Sequence, residues 1–125
     1  MSILYAALGG AIGAASRFLV TSAAFRIMGP GFPWGTVVVN VAGSFLMGVL
    51  IVFLALRYST SQELRIFLVT GILGGFTTFS AFSLDFVTLF EQKNYVPAAW
   101  YLCSSVLLSI LALFVGMIIA RQILQ

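Results

Sequence analysis

The chain has 125 residues, 62% of them hydrophobic and 7% charged, with six Lys/Arg against three Asp/Glu. Soluble domains carry about 25% charged residues and disorder needs low hydrophobicity with high charge, so both classes are excluded. The net charge of +3 is scattered and offers nucleic acid no basic patch, while no His and one Cys exclude a His/Cys metal cluster and a disulfide framework.

A single small membrane domain over residues 1–125 remains. A helix needs about 20 apolar residues to cross the hydrocarbon core. No charge precedes Arg17, and 27–56, 66–84 and 94–120 are charge-free. The pattern predicts an all-α membrane protein with four spans at about 3–25, 34–56, 66–90 and 96–120. Continuous apolar runs of this length do not alternate as barrel strands must. Span one lacks the basic leader of a signal peptide.

Span one carries Gly9-Gly-Ala-Ile-Gly13, a small-residue face for helix contact, and Arg17 near its far end. Turn chemistry at 28–33, Met-Gly-Pro-Gly-Phe-Pro, separates it from span two. Span two holds Thr36, Asn40 and Ser44 at i, i+4 spacing, so they share one face. The connection from Arg57 to Arg65 leads into span three. There Gly74-Gly75 lies near mid-membrane, followed by Thr77-Thr78, poor helix material. Two readings are open. A broken helix would free backbone carbonyls, hard oxygen ligands for a small cation such as Na⁺; an intact helix would use Gly71 and Gly75 as a GxxxG contact.

Phe76, Phe79, Phe82, Phe86 and Phe90 form one helical stripe, with Ser80 and Ser83 beside it. Aromatic rings present a positive edge, which faces an anion without a full charge that would trap it. Asp85 lies at a depth similar to that of Arg17, and a structural ion pair between them is expected, an ion-binding vestibule being the alternative. Span four repeats the hydroxyl pattern with Tyr101, Ser105 and Ser109, and adds the small residues Ala112, Gly116 and Ala120. Cys103 reads as an inert apolar residue. Trp34, Tyr58, Tyr95 and Trp100 fall near span ends, where amphipathic rings settle. Three donor-bearing faces with no charge at mid-membrane suit a small-anion path.

Arg57, Arg65 and Arg121 lie on one side of the membrane; Arg26 and Lys93 lie on the other, with Arg17 close by. That count sets almost no orientation. The chain either has one orientation by other means or inserts both ways, giving an antiparallel dimer.

The sequence resembles the Fluc (CrcB) family of small fluoride channels over its whole length. The resemblance rests on Gly-Ala-Ala-Ser-Arg17, on Pro-Trp-Gly-Thr36 with Asn40, and on Gly71-Ile-Leu-Gly-Gly-Phe-Thr-Thr-Phe-Ser-Ala-Phe-Ser83. It implies an antiparallel, dual-topology homodimer with two pores in a bacterial inner (plasma) membrane. Such a dimer lets cytoplasmic fluoride leak out passively and so confers fluoride resistance. It implies a central structural Na⁺ at the dimer interface, held by backbone carbonyls at positions matching Gly74 and Thr77. The implied fluoride pathway uses Asn40, Phe79, Phe82, Tyr101, Ser105 and Ser109, and the Arg17 and Asp85 positions also match; Ser80 and Ser83 join the pathway from the stripe. The implied partners are fluoride, membrane lipid and a second copy, not nucleic acid. Two rivals are a four-span multidrug or cation exporter, which needs a carboxylate in span one, and a non-transporting subunit of a membrane complex. Enzymatic activity is not expected, since no nucleophile–base pair is present.

Overall fold

The computed structural model describes residues 2–57 and 62–124. Tyr58, expected near a span end, lies outside the described residues. Helix α1 (Ser2–Met28) and helix α2 (Trp34–Arg57) form the first two spans. The third runs through α3 (Gln62–Arg65), a π-helical segment (Ile66–Leu73), α4 (Gly74–Phe76) and α5 (Ser80–Glu91). Helix α6 (Tyr95–Leu124) is the fourth. These four stretches are long and apolar enough to cross a membrane. Each begins and ends within a few residues of the boundaries that the charge pattern predicts.

Local chemistry sets the ends. Helix α1 stops where Gly29 takes φ +82° and its N–H donates to the Phe25 carbonyl at 2.9 Å, a left-handed cap followed by Pro30. Between α5 and α6 the residue in the left-handed region is Lys93, at φ +62°. Lys93 N–H donates to Phe90 O and Asn94 N–H to Leu89 O, the paired bonds of a Schellman turn.

The helices pack as two parallel pairs, as alternate crossings of one membrane must. Helix α1 lies along the first half of span three, and α2 lies along α6. Glycines make both approaches possible. A Cβ at Gly9 would meet the Gly71 Cα at 2.8 Å, and one at Gly13 would meet the Phe76 nitrogen at 2.8 Å. On the other pair, Gly48 faces the Leu113 carbonyl and Gly116 the Phe45 carbonyl. Large apolar side chains such as Ile3, Phe18, Leu19 and Ile123 face outward, as a lipid-facing surface requires.

Span three takes the break from one open reading and the glycine contact from the other; the helix is not intact. Gly71 and Gly75 do make a GxxxG contact, with α1. The helix breaks as well, but two residues later than the glycine pair. The chain stays helical through Phe76, and Thr77 turns extended at φ −83°, ψ 161°. The glycines serve close packing, and the threonines carry the break. The phenylalanine stripe is cut there, so Phe76 leaves it and packs over Gly43 of α2.

Candidate functional site

The break is a polar structure held by α2. Asn40 Nδ2 donates to the Thr78 carbonyl at 2.9 Å, and the Thr78 N–H donates to Asn40 Oδ1 at 2.8 Å. One side-chain amide thus satisfies both backbone groups of the residue at the gap, which apolar surroundings would otherwise penalise. Thr78 also starts the second half, since its hydroxyl accepts the Ala81 N–H at 3.2 Å. Upstream, the Leu73 carbonyl accepts both the N–H and the hydroxyl of Thr77, each at 3.1 Å. The Thr78 N–H that would continue the helix to Gly74 O is turned to Asn40 instead. The Gly74 and Thr77 carbonyls therefore have no hydrogen bond among the described residues.

Beside the break lies an open cleft of about 460 Å³. Its lining brings together Asn40, Gly74, Thr77, Phe79, Phe82, Ser105 and Ser109 from α2, span three and α6. The Ser105 and Ser109 hydroxyl oxygens are buried and find no hydrogen-bond partner among the described residues. The Phe79 and Phe82 rings sit 5.7 Å apart by centroid, Phe79 being 77% exposed and Phe82 only 6%. Phe82 also lies 5.1 Å from Tyr101, whose side chain is fully buried.

Behind this aromatic pair, toward the loop at 29–33, lies a second cavity of about 290 Å³ lined by Thr21, Phe32, Thr36, Asp85, Thr88 and Gln92, among others. Here one expectation is corrected: Arg17 and Asp85 do not pair. Asp85 Oδ2 accepts from the Thr36 hydroxyl at 2.8 Å and from the Tyr101 hydroxyl at 3.0 Å. Arg17 Nε donates instead to the Gly75 carbonyl at 3.2 Å. The two charges share a depth but not a direction. Arg17 follows Gly9 and Gly13 on the face of α1 that meets the first half of span three, whereas α5 packs on α6.

Of the other predicted residues, Ser80 and Ser83 stand outside the cleft. Ser83 donates to its own helix at Phe79 O, 3.0 Å away, and the Ser80 hydroxyl is 3.5 Å from that of Thr78. Tyr101 joins the cleft indirectly, through Phe82. Cys103 is exposed on α6. Sequence reasoning placed Thr78 with Thr77 as poor helix material at a possible break but gave it no partner, and it gave Gly43 no role. The signal for Thr78 was a hydroxyl residue in a weak helix segment. For Gly43 it was a small residue one turn beyond Asn40, where a Cβ would strike the Thr77 methyl.

These features define a four-span membrane protein with a broken third helix and a hydroxyl-lined cleft beside the break. The chain belongs to the family described as "CrcB-like protein, Camphor Resistance (CrcB)", whose pattern matches residues 4–117. It is 55% identical over 122 residues to the "Fluoride-specific ion channel FluC" of Chelativorans sp., covering 98% of each chain. It is 50% identical over 123 residues to the protein of the same description from Agrobacterium fabrum, again covering 98% of each. The counterpart from Caulobacter vibrioides is 50% identical over 122 residues, 97% of this chain and 96% of its own.

Proposed function

We propose that this chain is a fluoride channel rather than an enzyme, and that it lets cytoplasmic fluoride leave a bacterial cell passively across the inner membrane. The observation that carries the reading is the pair of unpartnered hydroxyls, Ser105 and Ser109, facing Phe79, Phe82 and Asn40 across one cleft. It is supported by relatives of that description at half or more identity over nearly the whole chain. Fluoride is small and strongly hydrated, so a pore must replace water with donors at close range. Free O–H groups and the positive edges of phenylalanine rings do this without a side-chain cation that would hold the ion.

Two further parts complete the reading. The working unit is an antiparallel homodimer of dual topology with two pores. Its support is the outward exposure of Gly74, Phe79 and Ser80, since a break with open carbonyls cannot face lipid. A Na⁺ ion sits where two such breaks meet, held by the Gly74 and Thr77 carbonyls. Those two carbonyls fit the ion, because both lack a hydrogen bond among the described residues and both are hard oxygen ligands. When bound, the ion supplies a fixed positive charge beside the pathway. The chain's own residues orient the carbonyls, exclude lipid and offer donors to the moving anion.

Purified protein reconstituted in liposomes should release fluoride far faster than chloride when ionophore relieves the membrane potential. A well-reconstituted sample that leaks neither ion would overturn the channel reading.

A further inference from the structure

We propose that Arg17 is a positioning residue that caps the severed end of the first half of span three. In doing so it holds the Gly74 and Thr77 carbonyls in place.

The geometry begins with the glycines of α1. Gly9, Gly13 and Arg17 recur every four residues and so share one face. Gly9 lies against Gly71, and Gly13 against Ile72 and Phe76, with backbone touching backbone. One turn further on, Arg17 reaches the end of α4, where Nε donates to Gly75 O at 3.2 Å. A helix end buried without partners for its last carbonyls is unstable. Two things usually rescue it, a donor to a carbonyl and a positive charge on the negative end of the helix dipole. The guanidinium supplies both at one point. Gly75 lies in sequence between Gly74 and Thr77, the two residues whose carbonyls are free, so fixing its peptide constrains both neighbours. Asn40 holds the far side of the gap through Thr78. The break is thus bracketed by α1 on one side and α2 on the other.

The second half of this proposal rests on the sodium reading above, and the two predict opposite signs for an alternative. If Arg17 acted only as a like charge near Na⁺, removing it would strengthen sodium binding. If it acts as a cap, removing it loosens the carbonyls and weakens binding.

The test is amide hydrogen exchange in full-length protein in detergent, following the peptide that spans 74–80, first in N-methylglucamine buffer and then with Na⁺ added. Without Na⁺, Arg17→Gln should speed exchange at 77–79 by about tenfold, the factor a hydrogen bond from a charged donor commonly carries. Arg17→Lys, which keeps the charge but loses Nε, should fall between the two. The Na⁺ concentration that half-protects the peptide should rise several-fold in Arg17→Gln. Exchange equal to wild type in either variant overturns the cap, and a lowered Na⁺ requirement overturns it in favour of simple repulsion. A wild type indifferent to Na⁺, with faster exchange in Arg17→Gln, upholds the cap and defeats the sodium reading instead. If Arg17→Gln does not fold, the Arg17→Lys comparison decides alone.

Discussion

A carboxyl group inside a membrane protein is costly unless polar partners meet it. Asp85 is met by two hydroxyls on one oxygen, Thr36 from α2 and Tyr101 from α6, so a single acceptor ties three helices together. Replacement by Asn keeps an oxygen that accepts both bonds, and Asp85→Asn should change thermal stability in detergent by less than about 1 kcal/mol. Asp85→Leu leaves two hydroxyls without their acceptor, at about 1–3 kcal/mol for each group left unsatisfied. Its melting temperature should fall clearly below that of Asp85→Asn; equal melting of the two variants would remove the acceptor role. The separate partners of Asp85 and Arg17 were not legible in sequence because depth along a span is a count of residues, whereas direction around it depends on the neighbouring helix. Asn40 was legible as one of a row of polar residues on a face of span two. Its bond to a backbone 38 residues away was not, because nothing local to either segment encodes that pairing.

At the scale of elements, glycines that look alike in sequence divide by what faces them. Gly13 packs on the Ile72 carbonyl, while a Cβ at Gly10 would meet nothing within 4 Å. Gly13→Ala should therefore push α1 off span three and lower the melting temperature. Gly10→Ala should be neutral or should gain up to about 1 kcal/mol in helix propensity. The turn into α6 offers the reverse case, a side chain where glycine fits better. Lys93 sits at φ +62°, a conformation that costs an L-residue about 1–2 kcal/mol. Lys93→Gly should raise stability by about 1 kcal/mol, measured by thermal unfolding, since Gly removes that strain at the usual Schellman position. The four spans themselves were legible because charges fall only near their ends, apart from Arg17 and Asp85. The position of the break was displaced by two residues because glycine permits two different things, a bend and a close approach, and composition does not say which.

For the whole molecule, the two parallel pairs leave one flank carrying Gly74, Phe79 and Ser80 uncovered. In the proposed dimer this polar, interrupted flank would be covered by a second copy, and the near-even distribution of basic residues would allow that copy to insert the other way. Reporter tags at the C-terminus should be found on both sides of the membrane in one population. Adding two Lys to the connection at 28–33 should drive the tags to a single side and reduce fluoride efflux from cells that make only this variant. Tags found on one side alone in the unaltered protein would end the dual-topology reading. The proposed assembly is not visible in one chain's hydropathy, which is symmetric to inversion; the proposal rests on the few charges and the uncovered flank.

The π-helical stretch has a consequence for how this span tolerates change in length. At its end the Gly74 N–H is shared between the Val69 carbonyl, five residues back, and the Gly71 carbonyl, three back. A π turn holds an additional residue without shifting the phase of the helix on either side. Ile66–Leu73 should therefore tolerate a one-residue deletion by reverting to α-helical turns. Such a deletion should leave Gly75 opposite Arg17 and Thr78 opposite Asn40. An insertion or deletion anywhere between Gly75 and Thr78 has no such slack, and would rotate one of the two brackets away from the peptide it holds.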